Sequence, residues 1–381
     1  MKFTAISLVS ATLVLLSACS SDDDTGNPSN NAAANGGFQV TVSGEDLAVK
    51  GYDFGAGALA NGDPPAFVDG WEVKFEHVIV TVGNVRLNAD PDTDPNNPDT
   101  QGAIVATAAG PWAVDVTLGG DVIGKSGSAD ERTVAITTLP KKADGSNFDP
   151  TQRYAFNYDI LAASSSATAV NLDAAGQALY EEAKAKGWAM IYQGTATYKG
   201  PAPAAGTVFE KIPSSVHFTL GFANPSSYSN CQNTDLAQIG EDEFPRGVQA
   251  REGATTTAQI TIHTDHSFWS KLNVEGTELH FDPIAAQAST YGTVGAAQGE
   301  VTMDDLVSLD ITSFKTRTGE ALPARSVVSD YTAPAGTLSF DANGTSFARP
   351  NSFASYLQYS ASAGGHLNAD GPCKIRNNFT P

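Results

Sequence analysis

The sequence predicts a mainly β fold, an antiparallel β-sandwich or barrel-like assembly with one main α-helix. Short segments rich in β-branched and aromatic residues recur along the chain. Many of them alternate apolar with polar residues, the period of two that a half-buried strand requires. Gly, Pro, Asn and Asp punctuate these segments, and 36 glycines with 20 prolines supply turns enough for many short strands. Only one stretch carries a convincing helical period.

In chain order the strand signals fall at residues 38–42, 71–87, 112–118, 133–139, 154–161, 188–198, 208–222, 256–263, 309–314 and 337–340. The helix is expected over about 172–186. Asn171 can cap it, Leu172, Ala175, Leu179 and Ala183 share a face, and Gly187 ends it. Shorter helices are expected near 282–288, 302–307 and 352–359. There is no internal repeat. Residues 38–381 read as one β-rich globular domain, and the small-residue stretch 162–169 marks where a sub-boundary would fall, near 165–172.

The N-terminus carries the sharpest signal. Lys2 precedes an apolar run, 3–16, that is shorter than the roughly 20 residues needed to span a bilayer. Residues 1–18 therefore read as a signal peptide. Its end, Leu16-Ser17-Ala18-Cys19, resembles the lipobox of bacterial lipoproteins. That resemblance implies cleavage before Cys19, lipid attachment to its thiol, and a second acylation, palmitate among the chains. Two acyl signals give stable anchoring where one gives marginal binding. Ser20 and Ser21, rather than aspartate, follow the cysteine, which by the same resemblance implies the outer membrane. Residues 19–37 are polar and small and read as a flexible tether.

A net charge of −20 argues against nucleic acid and anionic lipid surfaces as partners. With Cys19 assigned to lipid, Cys231 and Cys373 remain in an oxidising compartment, and a disulfide between them is expected; two buried free thiols are the alternative. Such a bridge folds the C-terminus back onto the middle of the chain.

Several local patterns suggest chemistry. Residues 119–126 match the P-loop pattern, but Gly127, Ser128 and a β-type run follow instead of a helix, so the segment reads as a glycine-rich hairpin loop. Asp90, Asp92 and Asp94 alternate in a proline-rich loop, a weak calcium-loop pattern against which a solvated acidic loop stands. Residues 279–309 look like a degenerate EF-hand in which only Gln298 and Asp305 retain ligand character, so calcium is the less favoured ion.

The chain has only six histidines. His263 and His266 sit in His-Thr-Asp-His at a strand end, and His280 and His366 lie in short mixed segments. His217 and His263 point away from the apolar faces of their strands, by strict alternation. His77 falls on the face of Trp71, Val73 and Phe75 and reads as a hydrogen-bonded core residue. His217, His263, His266, His280 and His366 form a candidate site for zinc or copper, with ordinary hydrogen-bonded surface histidines as the alternative. The series Asp69-Gly-Trp71 through Phe75, Val82 through Arg86, His263 through Phe268, the EF-hand-like stretch and Gly365-His366 through Cys373 is similar to uncharacterised secreted lipoproteins of Gram-negative bacteria. That resemblance implies one exported globular unit and no particular mechanism.

No GxSxG elbow and no HExxH motif occurs, so a non-enzymatic role is favoured, with a paired-carboxylate hydrolase lowest. The leading expectation is a lipid-anchored outer-membrane protein that binds a metal ion or small ligand through strand-borne histidines. The alternative is a structural or adhesion module that meets an envelope protein or glycan and holds no metal.

Overall fold

The computed structural model describes residues 36–57, 66–91, 93–94, 97, 100–202, 213–239, 243–269, 278–289, 299–307 and 353–379. The lipobox with Cys19, most of the tether, Asp92, Gln298 and the strands expected at 309–314 and 337–340 lie outside them. The chain runs β1 (Phe38–Ser43), α1 (Glu45–Lys50), β2 (Trp71–Ala89), β3 (Ile104–Ala108), β4 (Trp112–Asp115), β5 (Val122–Ile123) and β6 (Arg132–Leu139). It continues through β7 (Arg153–Ile160), β8 (Thr168–Val170), α2 (Ala174–Lys186), β9 (Met190–Tyr198), β10 (Ser215–Phe222), β11 (Ser226–Ser229), β12 (Val248–Gln249) and β13 (Thr256–Ile262). After a 3-10 turn, Asp265–Phe268, come α3 (Asp282–Ala285), β14 (Glu300–Thr302), α4 (Met303–Leu306), α5 (Phe353–Ser362), β15 (Gly365–Leu367), β16 (Gly371–Pro372) and β17 (Lys374–Asn377). The described residues belong to one compact unit, Ala32–Pro381.

Among these residues the strands form two sheets in a sandwich-like, mainly β assembly. A six-stranded sheet has the order β16-β15-β13-β1-β6-β5, and an eleven-stranded sheet is built around β14-β10-β9-β2-β7-β11-β17. Both are mixed rather than purely antiparallel: β1 with β13, β10 with β14, and β4 with β8 run parallel. Parallel neighbours need long connections, and alternation within a strand says nothing about which distant strand it joins. Inner faces meet in one core, where Phe38, Val40, Val42, Ile260 and Ile262 pack with Trp71, Val73, Val78 and Phe218. Each large side chain buried there contributes about 1.5–3 kcal/mol.

Strand β2 is long enough to serve two cores, and a bulge between Phe75 and His77 changes its phase. Before the bulge, odd-numbered Trp71 and Val73 enter the main core; after it, even-numbered Val78, Val80 and Val82 do. Ile79 instead joins Tyr180, Ala183, Trp188 and Ile191 under α2. His77 therefore does not share the face of Trp71 and Val73, as simple alternation predicts. Its Nδ1 lies 2.6 Å from Asp115 Oδ2, so it is a hydrogen-bonded, largely buried histidine on the other side of the sheet. Gly194 lies opposite the bulge, where a Cβ would collide with the Lys74 carbonyl oxygen.

Helix α2 starts later than Asn171 suggests. The cap is Asp173, whose Oδ1 accepts from the Gly176 N–H at 2.8 Å, while Asn171 sits at φ +59 and donates to the Gly119 carbonyl. Gly187 ends the helix in the left-handed conformation, as expected. The P-loop-like segment is a hairpin: β5 pairs antiparallel with β6, and Lys125 bonds Asp235 at 2.5 Å. In the EF-hand-like segment Asp305 is committed to capping α4, accepting from the N–H and hydroxyl of Thr302. Among the described residues no helix is long and apolar enough to cross a membrane.

Cys231 and Cys373 are joined as a disulfide that closes a separation of 142 residues. In the chain-entropy picture this stabilises the fold by about 4–5 kcal/mol. Replacing both cysteines with serine should lower the free energy of urea unfolding by that order, and a loss below about 1 kcal/mol would contradict the account. Asp173→Ala should cost about 1 kcal/mol in the same assay, as loss of a helix cap does.

Candidate metal centre

Three of the five candidate histidines converge, and strand pairing is what brings them together. In β13 the side chains of Ile260 and Ile262 enter the core, so Gln259, Thr261 and His263 take the opposite face. Strand β15 runs antiparallel beside β13 with His366 paired to Thr261, and the His263 N–H donates to the Gly364 carbonyl at 2.8 Å. His366 and His263 are thus diagonal neighbours on one face, with ring centroids 4.5 Å apart. His266 comes from the 3-10 turn that follows β13, and its ring centroid lies 5.3 Å from His263 and 5.5 Å from His366. Helix α5 holds that turn in place: the Ser360 hydroxyl donates to the His266 carbonyl, and Tyr356 donates to the Trp269 carbonyl at 2.8 Å.

Carboxylates surround the central ring. On the Nε2 side of His263, the Ala369 carbonyl lies at 3.3 Å and Asp370 Oδ1 at 3.7 Å. On the Nδ1 side, Glu45 Oε2 and Asp265 Oδ1 each lie at 4.0 Å. The Trp269 indole donates to Asp265 Oδ2 at 2.9 Å and lays its ring over His266 at 3.7 Å, which fixes both ligand candidates. Two sets have ligand atoms within 4.8 Å of one another: His263, His366 and Asp370, and His263, Asp265 and His266. A cavity of about 700 Å³ opens onto the cluster, lined by His263, His266, Trp269, His366, Asp370 and Cys373.

Burial sets the electrostatics. His263, Asp265 and His266 are buried, His366 is half-buried and Asp370 is exposed. Desolvation, reinforced by the neighbouring imidazoles, pushes His266 and His366 well below the ordinary histidine range, so both stay neutral with lone pairs available. Their Nδ1 atoms find no hydrogen-bond partner among the described residues. Desolvation raises Glu45 to about 7, with Asp370, Glu131 and Asp265 adding to the rise and His263 opposing it. Two residues that touch His263 hold left-handed backbone, Glu45 at φ +56 and Ala369 at φ +68. Such conformations cost on the order of 1–3 kcal/mol each and gather at functional sites.

The remaining candidates lie elsewhere. His217 projects from the polar face of β10, half-exposed, with Nε2 3.4 Å from Glu76. His280 is buried between Asp69, 3.7 Å from its Nδ1, and Glu278, 3.3 Å from its Nε2. Asp69 Oδ2 also accepts the N–H groups of Phe281 and Asp282 at the start of α3, and burial raises its carboxyl above the usual range. Neither histidine belongs to a ligand-distance set among the described residues. Asp90 and Asp94 likewise join no such set, Asp90 standing at φ +49 with its carbonyl accepting from Thr93. Glu45, Asp265, Asp370 and Trp269 are the participants that histidine counting misses. Asp265 and Asp370 sit within a few residues of the histidines, so local sequence could have suggested them; Glu45 has no local signal.

Between pH 5 and 6.5 the two kinds of shift oppose each other. The unfolded chain protonates histidines that the folded chain keeps neutral, which lowers stability on acidification, whereas Glu45 holds a proton only in the folded chain, which raises it. Around pH 5.5, where the unfolded histidines are mostly protonated, two protons against one leave these three groups lowering stability by about 1.4 kcal/mol per pH unit of acidification, and the slope falls away toward pH 6.5. Glu45→Gln should roughly double their slope, read by urea unfolding at several pH values, and an unchanged slope would remove Glu45 from the account. No protein-family model matches this chain, and neither a curated protein nor a solved structure matches it.

Proposed function

We propose that the chain is an exported, lipid-tethered β protein of the outer membrane that binds transition metal, zinc or copper, within the cluster formed by His263, His266, His366 and the neighbouring carboxylates. The observation that carries the reading is the convergence of three imidazoles from separate segments, two of them with buried, unpartnered Nδ1 atoms. An unpartnered buried polar atom costs about 1–3 kcal/mol, and a bound cation removes that cost. Imidazole with carboxylate suits zinc and copper, and His263 stands 3.7 Å from Asp370 and 4.0 Å from Asp265, within the span of two bonds of about 2.0–2.1 Å to one ion. The tether and the lipid rest on the Leu-Ser-Ala-Cys signal.

The role is binding rather than turnover. The cavity gives an ion access from solvent, and the indole over His266 with the α5 hydrogen bonds holds the ligands in advance, which lowers the ordering cost of coordination. Depressed histidine pKa values keep two ligands competent in mildly acidic surroundings.

Zinc or copper added to chelator-treated protein should raise the thermal midpoint progressively with free ion, as ligand linkage requires. His263→Ala should abolish the shift, and His217→Ala should leave it intact. A wild-type midpoint that does not move at 100 µM free ion would overturn the reading and favour the interaction-module alternative.

A further inference from the structure

His263 presents different ligands to its two nitrogens. Nε2 faces Asp370, and the set that contains Asp370 includes His366. Nδ1 faces Asp265 and Glu45, and the set that contains Asp265 includes His266. The two lone-pair directions of an imidazole diverge in the ring plane, so a single ion cannot occupy both. Each direction has its own carboxylate at 3.7–4.0 Å, a spacing that admits an ion bonded to both atoms at about 2.0–2.1 Å.

From this juxtaposition we infer that the cluster is a two-ion centre in which the His263 imidazolate bridges two transition-metal ions. The outer ion is held by His263 Nε2, His366 and Asp370, and the inner ion by His263 Nδ1, His266 and Asp265, with Glu45 at its edge. The inference rests on the metal-binding reading above and specifies its stoichiometry and chemical form. When the bridge forms, the remaining ring N–H bond breaks, a metal–nitrogen bond replaces it, and the proton passes to solvent. No electron is transferred. Metal–nitrogen bonds of about 2.0 Å on either side of the ring place the ions about 6 Å apart.

The ligands of the two ions differ in exposure. Asp370 is exposed at the cavity and Asp265 and His266 are buried, so the outer position exchanges with solvent more readily than the inner one. Trp269 packs on His266 and bonds Asp265, touching two inner ligands. Its fluorescence therefore reports filling of the inner position.

The test loads full-length protein with copper(II) alone, removes excess ion, and compares bound copper per chain with the intensity of its electron paramagnetic resonance signal. Two ions per chain with a signal far below two spins is expected, because an imidazolate bridge couples the two copper spins antiferromagnetically. Asp370→Ala, a change at an exposed position, should leave one ion per chain and restore the full signal of a single spin. One ion per wild-type chain with full signal would overturn the bridge and leave the metal-binding reading standing. Two ions with full, uncoupled signal, or an Asp370→Ala protein that retains two coupled ions, would also overturn the assignment. No retained copper, together with no zinc-induced rise in the thermal midpoint, would overturn both, and no retained copper with a zinc response would overturn the two-copper bridge alone.

Discussion

The parallel pairing of β1 with β13 is the constraint on which the candidate centre depends. Ser43 lies opposite Thr261 at the end of that ladder. Because the strands run the same way, the residues two steps beyond, Glu45 and His263, leave the sheet on the same edge and approach to 4.0 Å. An antiparallel pairing would carry them to opposite ends. β15 then joins the other side of β13 and adds His366, and the turn after β13 adds His266. Four ligand candidates from three chain regions are thus set by one ladder and its neighbour.

That edge continues a buried polar layer on the outer face of the smaller sheet. Thr41, Ser43, Gln259 and Thr261 point away from the apolar core and are nevertheless buried. Glu131, also buried, joins the layer by accepting from Ser43, Gln259 and the Ser126 N–H, and Asn368 ties Gln259 to Asn233. Buried polar groups are tolerable when hydrogen bonded and expensive otherwise. The layer is bonded in part, with Thr41 Oγ1 and Gln259 Oε1 among its unpartnered atoms, and the unpartnered nitrogens lie at the histidines. Hydrogen bonding fixes the scaffold, and coordination is the interaction left for the centre itself.

Much of this was legible in the sequence, and the failures have physical causes. Alternation located the main strands and the outward-facing sides of His217 and His263, because side-chain direction in a regular strand is a local property. It misplaced His77, because a bulge adds a residue that no propensity announces. It chose Asn171 over Asp173 as the helix cap, because both residue types cap well and two positions separate them. The cysteine pairing anticipated that the C-terminal segment, and with it His366, returns to the middle of the chain. Mixed sheet direction and the arrival of Glu45 were not legible, since partner choice among strands is decided by the whole fold. The grouping of five histidines was too generous for the same reason: His217 and His280 have their own carboxylates nearby.

The bulge at Phe75–His77 also bears on how the chain can vary in length. Loops absorb gained or lost residues at low cost, whereas in a ladder one residue reverses the phase of everything on one side. Removing a residue there would straighten β2 and turn either Trp71 and Val73 or Val78 and Val80 out of the core. β2 pairs with β9 on both sides of this bulge, so the error would spread into the partner strand. Residue number in this short stretch is therefore more tightly constrained than residue identity, the reverse of what holds in the surface loops.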